Sequence, residues 1–503
     1  MRKLLTGEPY AGEPHVRFGG RGGNSHPYPY RKRGKPLKPI SLYTTISPRS
    51  MIGFLFQGEV MSWAKDELSG IDLGNKKLNK RAVQLLEQLG NQPRASIHGA
   101  CNGWAEAQGA YRFLANENIK TEDILKPHSL QTVERMKYYP VVLCLQDTTE
   151  LDFNGQDIEG LGPLSYEAQR GMYLHPTYAV SPEREPLGIL DVWKWARKEK
   201  NARKKTDTKE SVRWIEGYKK LVEVASSLPD TRLVYVADRE ADIMDFMQQA
   251  KSLDTPVDWL IRSQHNRVLP QGKKLWEEVI NSKPIGEIEF TLPSRKGCKT
   301  RQVKQKIYLK RIIIGSEKKP IEVTCIIAKE IGAPLGVTPV EWRLLTNREM
   351  KSLEEAVEII DWYRARWEIE TYFHVLKNGC RIEAMQLSSI EKVERALILY
   401  MIVSWRIAHL MRMGRTCPDL PADLFFDKSE WKGAYFLSKK KPPKQTPKLN
   451  EIIRLIAGLG GFLGRKGDGE PGVKTLWKGL QRVMDFAIGW YHMQNIENGV
   501  GCR

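Results

Sequence analysis

An α/β fold, with a mixed sheet flanked by helices and helical regions at either end, is predicted by three features of this 503-residue chain. Between Pro140 and Ser263, short apolar runs split by Gly, Pro or Asp turns give way to alternating helical and extended segments. From about Pro270 to Trp342 the pattern is strand-like again, and from Leu353 onward it is mostly helical. Lys and Arg outnumber Asp and Glu by 79 to 60, a formal charge of +19 that is not confined to one tail. Such a surplus points to an extended anionic partner such as nucleic acid.

Taken in order, residues 1–60 form a Gly-, Pro- and Arg-rich leader without the periodicity of a packed core. The leader holds ten basic and three acidic residues, +7, leaving +12 for the rest; Met61, directly before SWAKDEL, is an alternative start. Residues 61–125 read as a small basic helical module, with LNKRAVQLLEQL and WAEAQGAYRFLAN amphipathic at helical spacing and Tyr111 and Arg112 on the second. Then come PVVLCLQD, LDF, YLHPTYAV and LGILDVWKW as strands, ESVRWIEGYKKLVEVASSL as a helix, TRLVYVAD as a strand, ADIMDFMQQA as a helix and VDWLIRS as a strand. That β-β-β-α-β-α-β order is the order of a ribonuclease-H-like core, here 126–385 with a β-rich insertion at about 265–345. Leu353–Cys380 returns to helical spacing, and in the C-terminal region, 386–503, Val393–Met413 and Leu449–Trp490 read as helical around a KKKPPKQTPK link.

Seven cysteines without CxxC spacing or clustering read as reduced thiols of a cytosolic protein, not a zinc site or a disulfide framework. The run ALILYMIVSW, bracketed by Arg395 and Arg406, is half the roughly 20 residues needed to span a bilayer and reads as a buried helix. No export signal or membrane partner is indicated.

Asp147 and Asp238 each close a predicted strand, and in open α/β sheets groups at the carboxyl ends of strands gather in one crevice. An Asp at a strand end also serves as a turn or cap residue, so a third acid is needed. The stretch YRARWEIETYFHVLK supplies one. At about 100° per residue, Tyr363, Arg366, Glu370 and Lys377 fall within about 60° on one helix face, whereas Glu368 points about 160° away from Glu370. Trp362, Ile369, Phe373 and Leu376 form an apolar stripe beside them, so the helix docks by one face and offers Glu370 along its edge. Carboxylates from three elements suit a pair of hard divalent cations about 3.5–4 Å apart, the arrangement for in-line phosphoryl transfer.

The contexts LQDTTELDF and VADREADI, with the Tyr-x2-Arg-x3-Glu-x6-Lys spacing, resemble bacterial DDE transposases of the family typed by insertion sequence four, and within it the transposon-five branch. The resemblance runs from about Ser62 to Trp490 and includes WAKDEL…LGNKKLNKR, EAQGAYRFLAN and IAGLGGFLGRKGDGEPGVKTLWKGL. It implies that Asp147, Asp238 and Glu370 are catalytic and hold two Mg²⁺ ions, Mn²⁺ being a substitute. It implies phosphate contacts by Tyr363, Arg366 and Lys377 and stacking of a flipped base on Trp342, which as a residue reads equally as strand core. Arg262 matches a DNA-contacting arginine, Arg239 and Glu240 follow Asp238 as in the family, and Arg112 lies in the implied end-binding module. His175 also matches, though a strand His reads as a core residue. The sequence departs from the pattern after Glu370, where Thr-Tyr-Phe-His replaces an acidic-aromatic-His order.

The expected activity is therefore cut-and-paste transposition: nicking, hairpin formation, hairpin opening and strand transfer. The expected partners are the double-stranded terminal inverted repeats, target DNA and a second copy of the chain in a paired-end complex, with 386–503 dimerising, in the bacterial cytoplasm at the nucleoid. Two other readings stay open, a metal-dependent nuclease without strand joining and a catalytically silent, element-derived DNA-binding protein. A two-carboxylate glycosidase is disfavoured, because the basic surplus and Arg366 and Lys377 suit phosphate better than sugar.

Overall fold

The computed structural model describes residues 63–198, 209–292 and 300–497. The leader, Met61 and part of the basic SRKGCKTRQVKQK stretch lie outside the described residues. The chain divides into two compact units: a smaller one containing Trp214–Ala225 and Arg232–Arg366, and a larger one containing the described residues up to Arg213, Ser226–Thr231 and those from Trp367 on.

The larger unit begins with the expected helices, α1 (Trp63–Glu67), α2 (Lys76–Asn91), α3 (Ile97–Ala100) and α4 (Trp104–Leu114). Asn75 starts α2 by accepting the Lys77 N–H at 2.8 Å, and Ala82, Leu85, Leu86 and Leu89 are its buried face. Helix α5 (Thr121–Met136) is not revealed by periodicity: its apolar residues hardly separate onto one face, and Pro127 lies inside it. The helix runs through 125/126, where the sequence suggests the end of the basic module.

Strands β1 (Val141–Gln146), β2 (Thr149–Asp152), the short β3 (Gly162–Pro163), β4 (Arg170–Val180) and β5 (Pro186–Trp195) follow. β4 is the hub, pairing antiparallel with the other four. All of its residues except Arg170 are buried, the reason it reads as a near-continuous apolar run.

In the smaller unit, α6 (Val212–Ala225) leads into β6 (Arg232–Ala237), α7 (Met244–Leu253) and β7 (Asp258–Arg262), then α8 (Leu275–Ile280), β8 (Gly286–Leu292), β9 (Arg301–Ser316), β10 (Lys319–Ile331) and β11 (Glu341–Thr346). The sheet is mixed, in the order β6-β7-β11-β10-β9-β8, with β6 and β7 parallel and every later pair antiparallel. The β-rich segment thus extends the sheet from β7. Tyr218, Tyr235, Phe246 and Trp259 make an aromatic core with centroids 5.1–6.0 Å apart. Each buried phenol is satisfied, Tyr218 donating to the Val257 carbonyl at 2.8 Å and Tyr235 to that of Trp214 at 3.0 Å. Helix α9 (Leu353–Ala365) closes the unit behind a capping box of Ser352 and Glu355.

The larger unit resumes with α10 (Trp367–His374), a π turn (Val375–Gly379), α11 (Ile390–Thr416), α12 (Lys428–Leu437), α13 (Leu449–Leu459) and α14 (Val473–Glu497). Two expectations need correction. Leu353–Cys380 is not one regular helix: Arg366 makes a tight turn, its N–H bonding the Tyr363 carbonyl at 3.1 Å, and the π turn closes with Cys380 N–H to Val375 O at 2.8 Å. Leu449–Trp490 is two helices, because the glycines between them take left-handed φ values, 98° at Gly461, 65° at Gly464, 105° at Gly467 and 68° at Gly469. The apolar run, by contrast, is the buried helix expected: α11 is long and apolar enough for a membrane span, but 89% of its most apolar window lies inside the protein. Arg395 is satisfied there by the carbonyls of Ile119 and Leu114, at 2.8 and 2.9 Å, and Arg406 lies 4.3 Å over the Trp63 ring. The five cysteines among the described residues are free thiols.

Candidate functional site

Asp147 follows the last residue of β1 and is half-buried, with one carboxylate oxygen accepting the Thr148 N–H at 2.8 Å. Its neighbours form a connected polar set within the larger unit. The Arg213 Nε–H donates to the Thr148 hydroxyl oxygen at 3.0 Å, and that hydroxyl is hydrogen-bonded to His175 Nδ1 at 2.9 Å. Burial holds the His175 imidazole well below its usual range, with Arg213 adding to the effect and a bond to the Asp147 backbone opposing it. His175 is therefore neutral and bonds the Asp147–Thr148 turn. Arg213 and Thr148 escape a sequence reading, because nothing local tells which helix residue reaches a strand end 65 positions away.

The two glutamates of YRARWEIETYFHVLK have different surroundings, as helix geometry indicates. Glu368 is 7% exposed and pairs with Arg412 at 3.2 Å; burial raises its carboxyl above the usual range, opposed by Arg412, Arg184 and Arg415. Glu370 is half-buried on α10. Lys377 stands in the π turn and pairs with Glu383 at 3.3 Å.

In the smaller unit, Asp238 follows β6 and caps a 3₁₀ turn (Arg239–Ala241), accepting the Glu240 N–H at 2.8 Å. Its cap role is thus realised, with Arg239 half-buried beside it and Glu240 exposed. Arg262 is the last residue of β7. Trp342 lies half-buried on β11, its ring stacked on Phe290 with centroids 5.6 Å apart and planes at 15°. The Arg364 guanidinium lies 5.6 Å from the Phe290 ring and 6.0 Å from that of Trp342. Tyr363 and Arg366, at the end of α9, are 5% and 4% exposed. Arg112 is exposed in the last turn of α4.

Asp147, Asp238 and Glu370 are each half-buried and offer oxygen donors only, the ligand type that hard divalent cations take. Asp147 and Glu370 belong to the larger unit and Asp238 to the smaller. Among the described residues no group of three or more His, Cys, Asp or Glu is arranged to hold a metal ion.

Three family models match the chain. A transposase DNA-binding domain matches residues 60–119, a transposase DDE domain 203–406 and a transposase Tn5 dimerisation domain 402–498. Arg112 falls in the first match and Asp238 and Glu370 in the second, whereas Asp147 precedes it. Among solved structures, a piggyBac transposase synaptic complex with hairpin DNA aligns over 90% of this chain and 81% of its own at 8% identity and a TM-score of 0.35. DDE domains depend on a divalent cation, which the carboxylates suit. DNA-binding, DDE and dimerisation domains in this order along one chain identify it as a Tn5-like DDE transposase, an enzyme that cleaves DNA and joins strands.

Proposed function

We propose that this enzyme moves an insertion sequence of the family typed by insertion sequence four by a cut-and-paste route, nicking at terminal inverted repeats, forming and opening a hairpin, and joining the freed 3′ ends to target DNA. The order of the three matched domains carries the proposal, supported by two aspartates at strand ends and a half-buried glutamate in the Tyr-x2-Arg-x3-Glu-x6-Lys spacing. In this reading residues 61–125 bind the DNA end, 126–385 carry the chemistry and 386–503 dimerise in a paired-end complex, in the bacterial cytoplasm.

Asp147, Asp238 and Glu370 are the catalytic carboxylates, holding two Mg²⁺ ions. Divalent cations held by these carboxylates would supply activation of an attacking water or 3′-hydroxyl and stabilisation of the leaving oxygen. The protein's own part is placement. Thr148, His175 and Arg213 fix the Asp147 turn, Arg412 fixes the side of α10 opposite Glu370, and Tyr363, Arg366 and Lys377 hold backbone phosphates. Trp342 stacks on an unpaired base, while Arg262, Arg239 and Arg112 add backbone contacts.

The test is a plasmid carrying a marker between the inverted repeats that flank the coding region, incubated with the protein and Mg²⁺. Excised fragments with hairpin ends and marker insertions are expected, and Asp147→Ala, Asp238→Ala and Glu370→Ala should each abolish both. Linear products without insertions would identify a nuclease; binding without cleavage would identify a silent DNA-binding protein.

A further inference from the structure

The ion pair of Lys377 with Glu383 is built into the fold. The side chains are 16% and 31% exposed, and the Glu383 oxygen that faces Lys377 at 3.3 Å also accepts the Asp152 N–H at 3.1 Å. The Glu383 carbonyl accepts the Gln156 side-chain amide at 2.6 Å, and Asp152 is fixed in turn by Gln169 at 2.8 Å. Glu383 lies in a 3₁₀ turn (Ile382–Ala384) entered through Arg381 in the left-handed region at φ 53°. Lys377 occupies the π turn, a distortion that concentrates at functional sites. The strand whose Asp152 N–H donates to Glu383, β2, begins two residues after Asp147.

We propose that Glu383 is a positioning residue: it holds the Lys377 ammonium at the end of β2, so that a DNA phosphate meets a cation already in place. The proposal rests on Lys377 being a phosphate contact. A lysine stem is flexible and loses rotamer freedom when its head is fixed, so a carboxylate anchored by a backbone N–H removes part of that loss from the DNA-binding step. An ammonium has three donors, so one bond to Glu383 leaves capacity for phosphate oxygens.

The experiment uses the full chain, Mg²⁺ and a duplex selected from a random pool by binding to this protein. Lys377→Ala should lower the slope of log affinity against log salt by about 0.9, the loss of one phosphate contact. Glu383→Gln, which keeps an oxygen for Asp152, should slow single-turnover cleavage on the order of tenfold, below the hundredfold of a full 1 Å misplacement. It should do so at an unchanged unfolding temperature, and have no further effect in the Lys377→Ala background. Wild-type cleavage by Glu383→Gln, or slowing that multiplies with Lys377→Ala, would overturn the proposal while leaving Lys377 as a phosphate contact. Glu383→Ala unfolding early while Glu383→Gln cleaves normally would show a merely structural anchor and overturn it equally. If Lys377→Ala changes neither slope nor cleavage, the underlying reading of Lys377 fails first.

Discussion

Glu67→Gln removes one charge from a buried contact between α1 and α5, and its cost follows from the geometry. Glu67 is 6% exposed; both of its oxygens accept from Arg135 at 3.0 Å, and one accepts from His128 Nδ1 at 2.5 Å. His128 Nε2 accepts the Ile189 N–H at 3.0 Å, so the imidazole is neutral with its proton on Nδ1, and burial keeps it so. The Trp405 ring covers both partners, 4.2 Å from the Arg135 guanidinium and 5.0 Å from the His128 ring. Burial alone would raise the Glu67 carboxyl, but Arg135 and then His128 outweigh it and hold it at about 2 against an ordinary 4.5. A folded-state value below the unfolded one favours folding above pH 4.5 and loses that contribution as the pH falls through about 2. The shift corresponds to about 3 kcal/mol at neutral pH, within the roughly 3–5 kcal/mol expected for breaking a buried pair by removing one partner. Urea unfolding followed by circular dichroism should show the variant destabilised by this amount at pH 7, with the gap narrowing below pH 4.5. A loss under about 1 kcal/mol, or a gap that does not change with pH, would refute the account.

Other outcomes separate chemistry from packing. Glu370→Gln should abolish cleavage with stability within about 0.5 kcal/mol of wild type, whereas Glu368→Ala removes the carboxylate partner of Arg412 and should cost about 3–5 kcal/mol in urea unfolding; the reverse pattern would exchange their roles. Burial, with Arg135 adding, depresses the His409 imidazole to about 4, although its Nδ1–H donates to the Pro186 carbonyl at 3.0 Å. Stability should therefore fall as the pH drops from 6.5 toward 4, by up to about 3 kcal/mol from this group, and His409→Asn should flatten that part of the profile. A Cβ on Gly479 would stand 1.6 Å from the Ile456 carbonyl, so Gly479→Ala should push α13 and α14 apart and cost about 1–3 kcal/mol, read as a lower melting temperature.

Periodicity alone determined the strands that Asp147 and Asp238 follow, the buried character of α11 and the divergence of Glu368 from Glu370, because these depend on neighbours within a turn or two of chain. It did not reveal α5, whose burial comes from neighbours on several sides, nor the turn at Arg366 and the π turn at Lys377, which leave residue spacing unchanged. The companions of Asp147 and Lys377 were decided by tertiary structure only. Arg213 reaches Thr148 across 65 residues and Glu383 reaches Asp152 across 231, bonds that exist once the chain has folded back on itself. Local sequence specifies which face a carboxylate occupies; the partners that set its charge and orientation come from elsewhere in the chain.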